Sequence, residues 1–420
     1  MTTSSPPPIA YLTGWYPAVS LTFILREIEA LRAQGAVIET CAIRQTDPEQ
    51  HRGPAEKAAA ASTFYVLKAA RDPKVLAGAL AYGLGRPGAL WRMIRLAAKT
   101  TPGGFRAALY QAFYAVEAVI LARHLHARGI IRIHNHFTGA SCTVAMLASE
   151  LSGIPYSFTL HGPTDLLEPI RIHLRDKIAR ADLVACISHF ARSQAMLHSD
   201  PEHWHKLRIV HCGVEPALYD RPDLAGTGRH FVFVGRIAPV KGLRVLIEAL
   251  GHALREEAGL HLTIVGDGPD MAALRDLAAP LGDAVRFTGY RSQAEVAEIL
   301  ASADAMVLPS FAEGVPVVLM EMLASGKPVI ATQVAGVSEL VEDEVNGRIV
   351  APGDARGLAA ALVDFARMTP EARAAMGAAG REKVRAEFDI HKEAAWLARL
   401  FAGPEGGRLR PDDEVGAVSP

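Results

Sequence analysis

This chain has no obvious covalent staple. Its four cysteines, Cys41, Cys142, Cys186 and Cys212, are widely spaced and form no Cys-x-x-Cys, so they read as buried thiols of a reducing compartment. It has almost no net charge, −1 at neutral pH, which removes the overall field that nucleic-acid binding would call for. Met1 to Pro8 is polar and rich in proline and carries no apolar signal region. A long uncharged apolar run is also missing. The nearest one, Val75 to Leu90, is interrupted by Gly78, Gly83, Gly85, Arg86 and Pro87. The expectation is a cytoplasmic protein without a spanning helix. There is no Gly-x-Ser-x-Gly elbow and no phosphate loop ending in Gly-Lys-Ser/Thr, and no Asp-x-Asp sits at a strand end. What is present is apolar: half of the 420 residues, enough for two cores.

Apolar runs and turn residues predict an alternation of strand and helix. Ile9 to Leu12, ended by Thr13-Gly14, is a strand, and the loop from Trp15 to Ser20 leads to a helix over about 22–34. Strands follow at 36–43, 130–135, 156–160, 183–187 and 207–211, with a helical insert over about 54–128. A Pro- and Gly-bearing stretch, 215–229, reads as a linker. A second series of strands starts at His230: 231–234, 260–265, 285–288, 305–308 and 328–332. Strand–helix–strand order implies parallel, doubly wound sheets. The expected organisation is a first Rossmann-like domain over 1–220 and a second over 221–388. A helix over 389–402 would cross back to the first domain, and a disordered tail would cover 403–420. Ligands of such sheets bind at the carboxyl ends of strands, so a cleft between the halves is the expected site.

The most informative stretch is Glu313-Gly314-Val315-Pro316-Val317-Val318-Leu319-Met320-Glu321. It joins a buried strand to a helix expected from Val318 to Ala324, with Pro316 in its first turn. N–H groups at such a helix start favour an anion such as a diphosphate. Eight residues of helix rise about 12 Å. That span is hard to reconcile with the roughly 5–9.5 Å between paired carboxylates in glycoside hydrolysis. The two acids therefore suit hydroxyl-bearing parts of one extended ligand, with phosphates between them.

Other strand ends carry matching groups. Gly235-Arg236 and Lys241-Gly242 follow the strand at 231–234, and two cations there suit a diphosphate. Val265-Gly266-Asp267-Gly268 and Phe287-Thr288-Gly289-Tyr290-Arg291 end the next two strands. The first is a glycine turn but not a dinucleotide fingerprint, and the second offers backbone to a base edge. In the first half His161 ends the strand Tyr156–Leu160, where it can bond a sugar hydroxyl or act on protons. His134-Asn135-His136 puts two imidazoles on one strand face, with no third ligand apparent for a metal; His136 could still line the cleft. Glu342-Asp343-Glu344, before the turn Asn346-Gly347, reads as solvated surface. The insert has no Asp or Glu between Asp72 and Glu117 but six cations. Arg92, Arg95 and Lys99 share a helical face opposite Leu90, Trp91, Ile94 and Ala98. That pattern fits a helix on an anionic membrane, and equally a helix docked on its own domain.

Taken in order, these motifs resemble the retaining, two-Rossmann (GT-B) glycosyltransferases of family four. The likeness is most specific from Phe231 to Asp354, where Pro309-Ser310, Val334 to Leu340 and Asn346-Gly347 complete the series. In the first half, Pro17 to Ile24 is similar to colanic-acid-type exopolysaccharide transferases. Leu21 stands there where those have Glu, and Glu215 stands where the family has Asp. The resemblance implies that Arg236 and Lys241 bind the donor diphosphate and that Glu321 holds the ribose hydroxyls. Glu313, with the amides after Gly314 (Val317 and Val318), would hold the transferred sugar, with Gly266, Tyr290 and Arg291 beside the nucleotide. His161 would be the active-site histidine, and His136 and Ser20 would lie toward the acceptor. The expected activity is transfer of a hexose, with retention, from a nucleotide sugar to a saccharide, carried on a polyprenyl diphosphate. No cofactor and no obligatory metal are expected; the leaving phosphate assists the reaction. The chain would be peripheral on the inner face of the cell membrane, with Trp91, Arg92, Arg95 and Lys99 toward the lipid. A sugar-nucleotide epimerase on the same fold, or a non-catalytic sugar-nucleotide-binding partner, is the alternative.

Overall fold

A computed structural model describes residues 7–403 apart from 19–20, 52, 167 and 221–225. These residues fall into two compact units, one running to His211 and resuming at Glu393, the other covering Cys212–Lys392.

The first unit is built on seven parallel strands: β1 (Ile9–Tyr16), β2 (Ile38–Gln45), β3 (Phe64–Tyr65), β4 (Arg132–His136), β5 (Tyr156–Leu160), β6 (Leu183–Cys186) and β7 (Leu207–Ile209). Their order is β3-β2-β1-β4-β5-β6-β7. The chain thus winds outward in both directions from β1 and β4, which are paired in register from Ile9 and Arg132. In such sheets the point of reversal opens a crevice at the carboxyl ends of the two strands. Its helices are α1 (Thr22–Ala33), α2 (Pro54–Ser62), α3 (Val66–Ala69), α4 (Pro73–Leu84), α5 (Pro87–Lys99), α6 (Phe105–Ala127), α7 (Ala140–Ser152), α8 (Pro163–Leu166), α9 (Leu174–Arg180) and α10 (His189–Leu197). β1 runs past Thr13-Gly14 to Tyr16, so those residues do not end it as the sequence predicts. β3, two residues paired with β2, is an unforeseen edge strand inside the helical insert. By length and composition α6 could cross a membrane, but Ala118, Ile120, Leu121, Ala122 and Leu125 are buried on its C-terminal half, and the helix packs on α7.

The second unit carries six parallel strands: β8 (His230–Val234), β9 (His261–Val265), β10 (Val285–Gly289), β11 (Ala305–Leu308), β12 (Val329–Thr332) and β13 (Gly347–Val350), in the order β10-β9-β8-β11-β12-β13. Here the reversal lies between β8 and β11. Its helices are α11 (Leu243–Glu256), α12 (Met271–Ala278), α13 (Gln293–Ser302), α14 (Val317–Ala324), α15 (Val337–Leu340), α16 (Ala355–Arg367) and α17 (Pro370–Glu387). α11 buries Leu243, Leu246, Ile247 and Leu250, the one-sided spacing of a helix on a sheet. Gly347 opens strand β13 rather than closing a turn, because its Cα lies against Val329, where a Cβ would come 2.4 Å from the carbonyl oxygen.

The last helix, α18 (Ile390–Phe401), brings the chain back to the first unit at Glu393. There Glu393 Oε2 accepts from the His211 N–H at 2.9 Å and Trp396 Nε1 donates to the Ile209 carbonyl at 3.0 Å. The units divide after His211 rather than at 220, because Val214 is stitched to the end of α17. Its N–H donates to Phe388 and its carbonyl accepts from Ile390. Nearly all of the stretch expected as a tail, 403–420, lies outside the described residues.

Candidate active site

The second unit gathers its polar groups at the reversal point of its sheet. The loops after β8 and β11 are fastened together: the Phe311 N–H donates to the Val240 carbonyl at 2.8 Å. Gly242, at φ +66, sits so close to Pro309 that a Cβ would come 2.0 Å from its carbonyl oxygen. The loop after β9 is fastened to the loop after β8 as well. The Ile237 N–H donates to Asp267, and a Cβ on Gly266 (φ +133) would meet the Gly235 carbonyl oxygen at 1.9 Å. Glycine at these turns is a steric requirement of three loops meeting at one end of the sheet. The arrangement puts Lys241 Nζ 2.6 Å from Glu313 Oε1, an oxygen that also accepts from Ser310 Oγ at 2.5 Å. The pair is mostly shielded, with 23% of the lysine and 11% of the glutamate side chain exposed.

Arg236 is exposed on the loop after β8, and Gly314 is tied to α15 through the Gly336 N–H. α14 begins at Val317 with Pro316 as its cap residue, not within its first turn, since Pro316 keeps an extended ψ of 117. The N–H groups of Val317 and Val318 therefore open the helix, where no intrahelical acceptor exists. Glu321 lies one turn further on, partly exposed. Tyr290 is 37% exposed after β10, and Arg291 lies 3.5 Å from Glu295. Of the expected donor groups, the structure joins Lys241 directly to Glu313. Arg236, Gly266 and Gly314 lie on the adjoining loops, and Tyr290 and Arg291 lie farther along the same edge.

The first unit holds its histidines in a buried polar chain. His161 Nε2 is 2.8 Å from His136 Nδ1. His136 Nε2 in turn lies 3.4 Å from Glu27 Oε1, in a direction that makes no hydrogen bond. Tyr11 donates to the same glutamate oxygen at 2.9 Å. A carboxylate on that side favours a proton on His136 Nε2, so that Nδ1 accepts from the His161 N–H. Burial, with a smaller contribution from His136, lowers the His161 pKa well below its ordinary value and keeps the ring neutral. The ring packs against Phe23 and Phe137, with centroids at 4.9 and 4.6 Å. Phe137 is itself in the left-handed region at φ 71, held there by Asn135 Nδ2 donating to its carbonyl at 2.6 Å. Asp165 accepts from the N–H groups of His161 and Thr138, and Lys177 Nζ donates to the Thr138 carbonyl at 2.6 Å.

The third group beside His134 and His136, which the sequence did not reveal, is Glu27 from α1; ligand atoms of the three lie within 4.8 Å of one another. His134 is already engaged at both nitrogens, by Ser157 and Thr159 hydroxyls at 2.9 and 3.0 Å. His136 is fully buried, with His161 as its hydrogen-bond partner, which corrects its reading as a lining residue. Ser20 lies outside the described residues. On α5, Trp91 and Arg95 are exposed, and Arg92 and Lys99, 62% and 66% exposed, are ion-paired with Glu150 and Asp176, so two of the three cations of the expected basic face have acid partners on their own domain. Glu27, Tyr11, Asp165 and Lys177 were missed because only the fold brings them to the histidines. Asp165, four residues after His161 in His-Gly-Pro-Thr-Asp, was the one available signal.

Two doubly wound parallel sheets, the second with a lysine–glutamate pair at its reversal point, define a protein of the GT-B glycosyltransferase architecture. The sequence profile of the glycosyl transferases group 1 matches residues 228–367. The chain is 27% identical to WcaL of Salmonella typhimurium, a glycosyltransferase ascribed to colanic acid biosynthesis, over 92% of this chain and 97% of that one. It is 28% identical to the amylovoran biosynthesis glycosyltransferase AmsK of Erwinia amylovora, over 94% and 98%. It is 30% identical to TuaC of Bacillus subtilis, ascribed to teichuronic acid biosynthesis, over 64% of this chain and 69% of TuaC. Among solved structures, Anabaena HepE in complex with UDP superposes with a TM-score of 0.70 at 18% identity, over 94% of this chain and 99% of HepE. The chain belongs to the group 1 glycosyltransferases and is a glycosyltransferase.

Proposed function

We propose that this chain is a retaining hexosyltransferase using a nucleotide-sugar donor. Its acceptor is a saccharide carried on a polyprenyl diphosphate, in exopolysaccharide or other cell-surface glycan synthesis at the cytoplasmic face of a membrane. The observation that carries the reading is the Lys241–Glu313 pair, 2.6 Å apart at the reversal point of the second sheet and on the loop that leads into α14. Lys241, Arg236 and the first N–H groups of α14 would meet the charge that builds on the departing diphosphate. Glu313 and the Gly314 loop would take the hydroxyls of the transferred sugar, and Glu321 those of the ribose. In this reading the bond from the anomeric carbon to the phosphate oxygen breaks. The acceptor oxygen bonds on the same face, and its proton passes to the departing diphosphate. His161 orients the sugar, and no enzyme nucleophile, metal or cofactor is called for. The names of WcaL and AmsK support the pathway, and the UDP and UDP-glucose complexes of HepE support the donor class.

The test is donor turnover in the presence of a chelator, for the parent chain and for Glu313→Ala and His161→Ala. Turnover should survive EDTA and fall in each variant by about 100-fold, the scale of losing one preorganised polar group. Undiminished rates in both variants would reject the assignment. Turnover that needs no acceptor and yields an isomerised donor would replace it with epimerase chemistry.

A further inference from the structure

Three consecutive helices of the first unit carry a concentration of apolar side chains that no described residue covers. Of the 22 large apolar side chains exposed among the described residues, 10 lie between Leu76 and Val116, about a tenth of the chain. They are placed by helical period. Leu76, Leu80 and Leu84 recur every four residues on α4, and Phe105, Leu109, Phe113 and Val116 form a stripe on α6. On α5, Trp91 and Ile94 are exposed beside Arg95, while Met93, Leu96 and Ala97 are buried. Phe105 and Trp91 are 87% and 65% exposed, far beyond what a side chain at the edge of a core shows. The three helices pack against one another, and α5 and α6 pack on α7, so the core already has its own apolar face. The outward stripes are additional to it.

Charge identifies the occupant. No carboxylate occurs between Asp72 and Glu117. Arg92 and Lys99 are tied to Glu150 and Asp176, whereas Lys74, Arg95 and Arg106 are exposed and make no ion pair among the described residues. A second copy of the chain on this surface would set these cations against one another with no acid in the patch to answer them. An anionic bilayer answers both features at once: headgroups take the cations, and the boundary with the acyl chains takes the leucines and aromatics. We infer that α4, α5 and the N-terminal half of α6 form one membrane-docking surface for bilayers carrying anionic lipid, centred on Trp91 and Phe105 rather than on Arg92 and Lys99. The buried C-terminal half of α6 anchors that surface to the domain. This inference stands apart from the reaction, because docking requires neither donor nor acceptor.

The test is sedimentation of the full chain with vesicles of phosphatidylcholine, with and without phosphatidylglycerol, at low and raised salt. Binding is expected to the anionic vesicles at low salt, accompanied by a blue shift of tryptophan emission that Trp91→Phe abolishes. The triple substitution Trp91→Ser, Phe105→Ser, Phe113→Ser should weaken it by more than tenfold. Arg95→Glu and Arg106→Glu should each weaken it by at least about fivefold, the effect of one cation near such a surface. Arg92→Ala should change it little. Absence of binding at low salt, or equal binding by the parent and the substituted chains, would overturn the inference. So would a dimer in solution that the triple substitution dissolves, which would give the surface to a second copy.

Discussion

If the Lys241–Glu313 pair is the diphosphate end of a donor site, its two members should respond oppositely to substitution. With no ligand the ammonium is held at 2.6 Å by the carboxylate, and both side chains are largely shielded. A nucleoside diphosphate entering the site has to share that ammonium. A hydrogen bond to a charged group contributes about 1.5–3 kcal/mol. Lys241→Ala should therefore weaken binding of a nucleoside diphosphate by roughly 10- to 100-fold, at about 1.4 kcal/mol per decade. Glu313→Gln keeps the shape and the bond from Ser310 but removes the competing charge. Diphosphate affinity should then stay level or rise by up to about tenfold, while turnover falls, because the sugar hydroxyls lose their acceptor. Titration calorimetry with UDP, ADP and GDP in turn measures the first quantity without any acceptor. A Glu313→Gln chain that loses diphosphate affinity as severely as Lys241→Ala would refute the competition argument. Glu313 would then belong to the scaffold that shapes the phosphate loop, not to the sugar.

Two further outcomes follow from buried groups of the first unit. Glu117 is buried on α6 with one carboxylate oxygen unpartnered, and burial pushes its pKa up from 4.5 to about 7 against a weaker opposing pull from Arg44. The folded state therefore holds this proton more tightly than the unfolded state, and stability falls as pH rises from 4.5 towards 7. The shift corresponds to at most about 3 kcal/mol, so urea denaturation should show Glu117→Gln more stabilised at pH 8 than at pH 5, and equal gains at both would contradict it. Replacing His136 with Asn removes the hydrogen-bond partner of His161. Turnover should fall by about tenfold or more with nucleoside diphosphate affinity unchanged, whereas a parallel loss of both would mark a general folding defect.

How much of this was legible in the sequence depends on how far apart the participants lie along the chain. The parallel strands showed as short apolar runs ended by glycine, because a sheet buried on both faces needs continuous apolar residues. Gly242 and Gly266 were visible because loops meeting at a sheet end leave no room for a Cβ. β3 and β13 were not: one is two residues long, and the other begins at a glycine after an asparagine, a pair that reads as a turn. Lys241 and Glu313 were each singled out, but as grips on different parts of a ligand. That they touch follows from the reversal of strand order between β8 and β11, which places loops 72 residues apart side by side.

The histidines show the same limit more sharply. His134 and His136 looked like an incomplete metal pair because their third neighbour, Glu27, lies on α1, about a hundred residues earlier. Placed in the sheet, the cluster accounts for features that would otherwise be costly. An ammonium, Lys177, and a carboxyl, Asp165, are buried together, and an aromatic residue is held in a left-handed conformation. All three hold the short turns that follow β4 and β5. Lys177 fastens the carbonyl of Thr138, Asp165 fastens the N–H groups of Thr138 and His161, and Phe137 lays its ring against the imidazole. A sheet that needed only to fold could fill these positions with apolar side chains at lower cost. The expenditure converges on the orientation of one ring, His161, which is the arrangement expected of a group whose position relative to a substrate decides the rate.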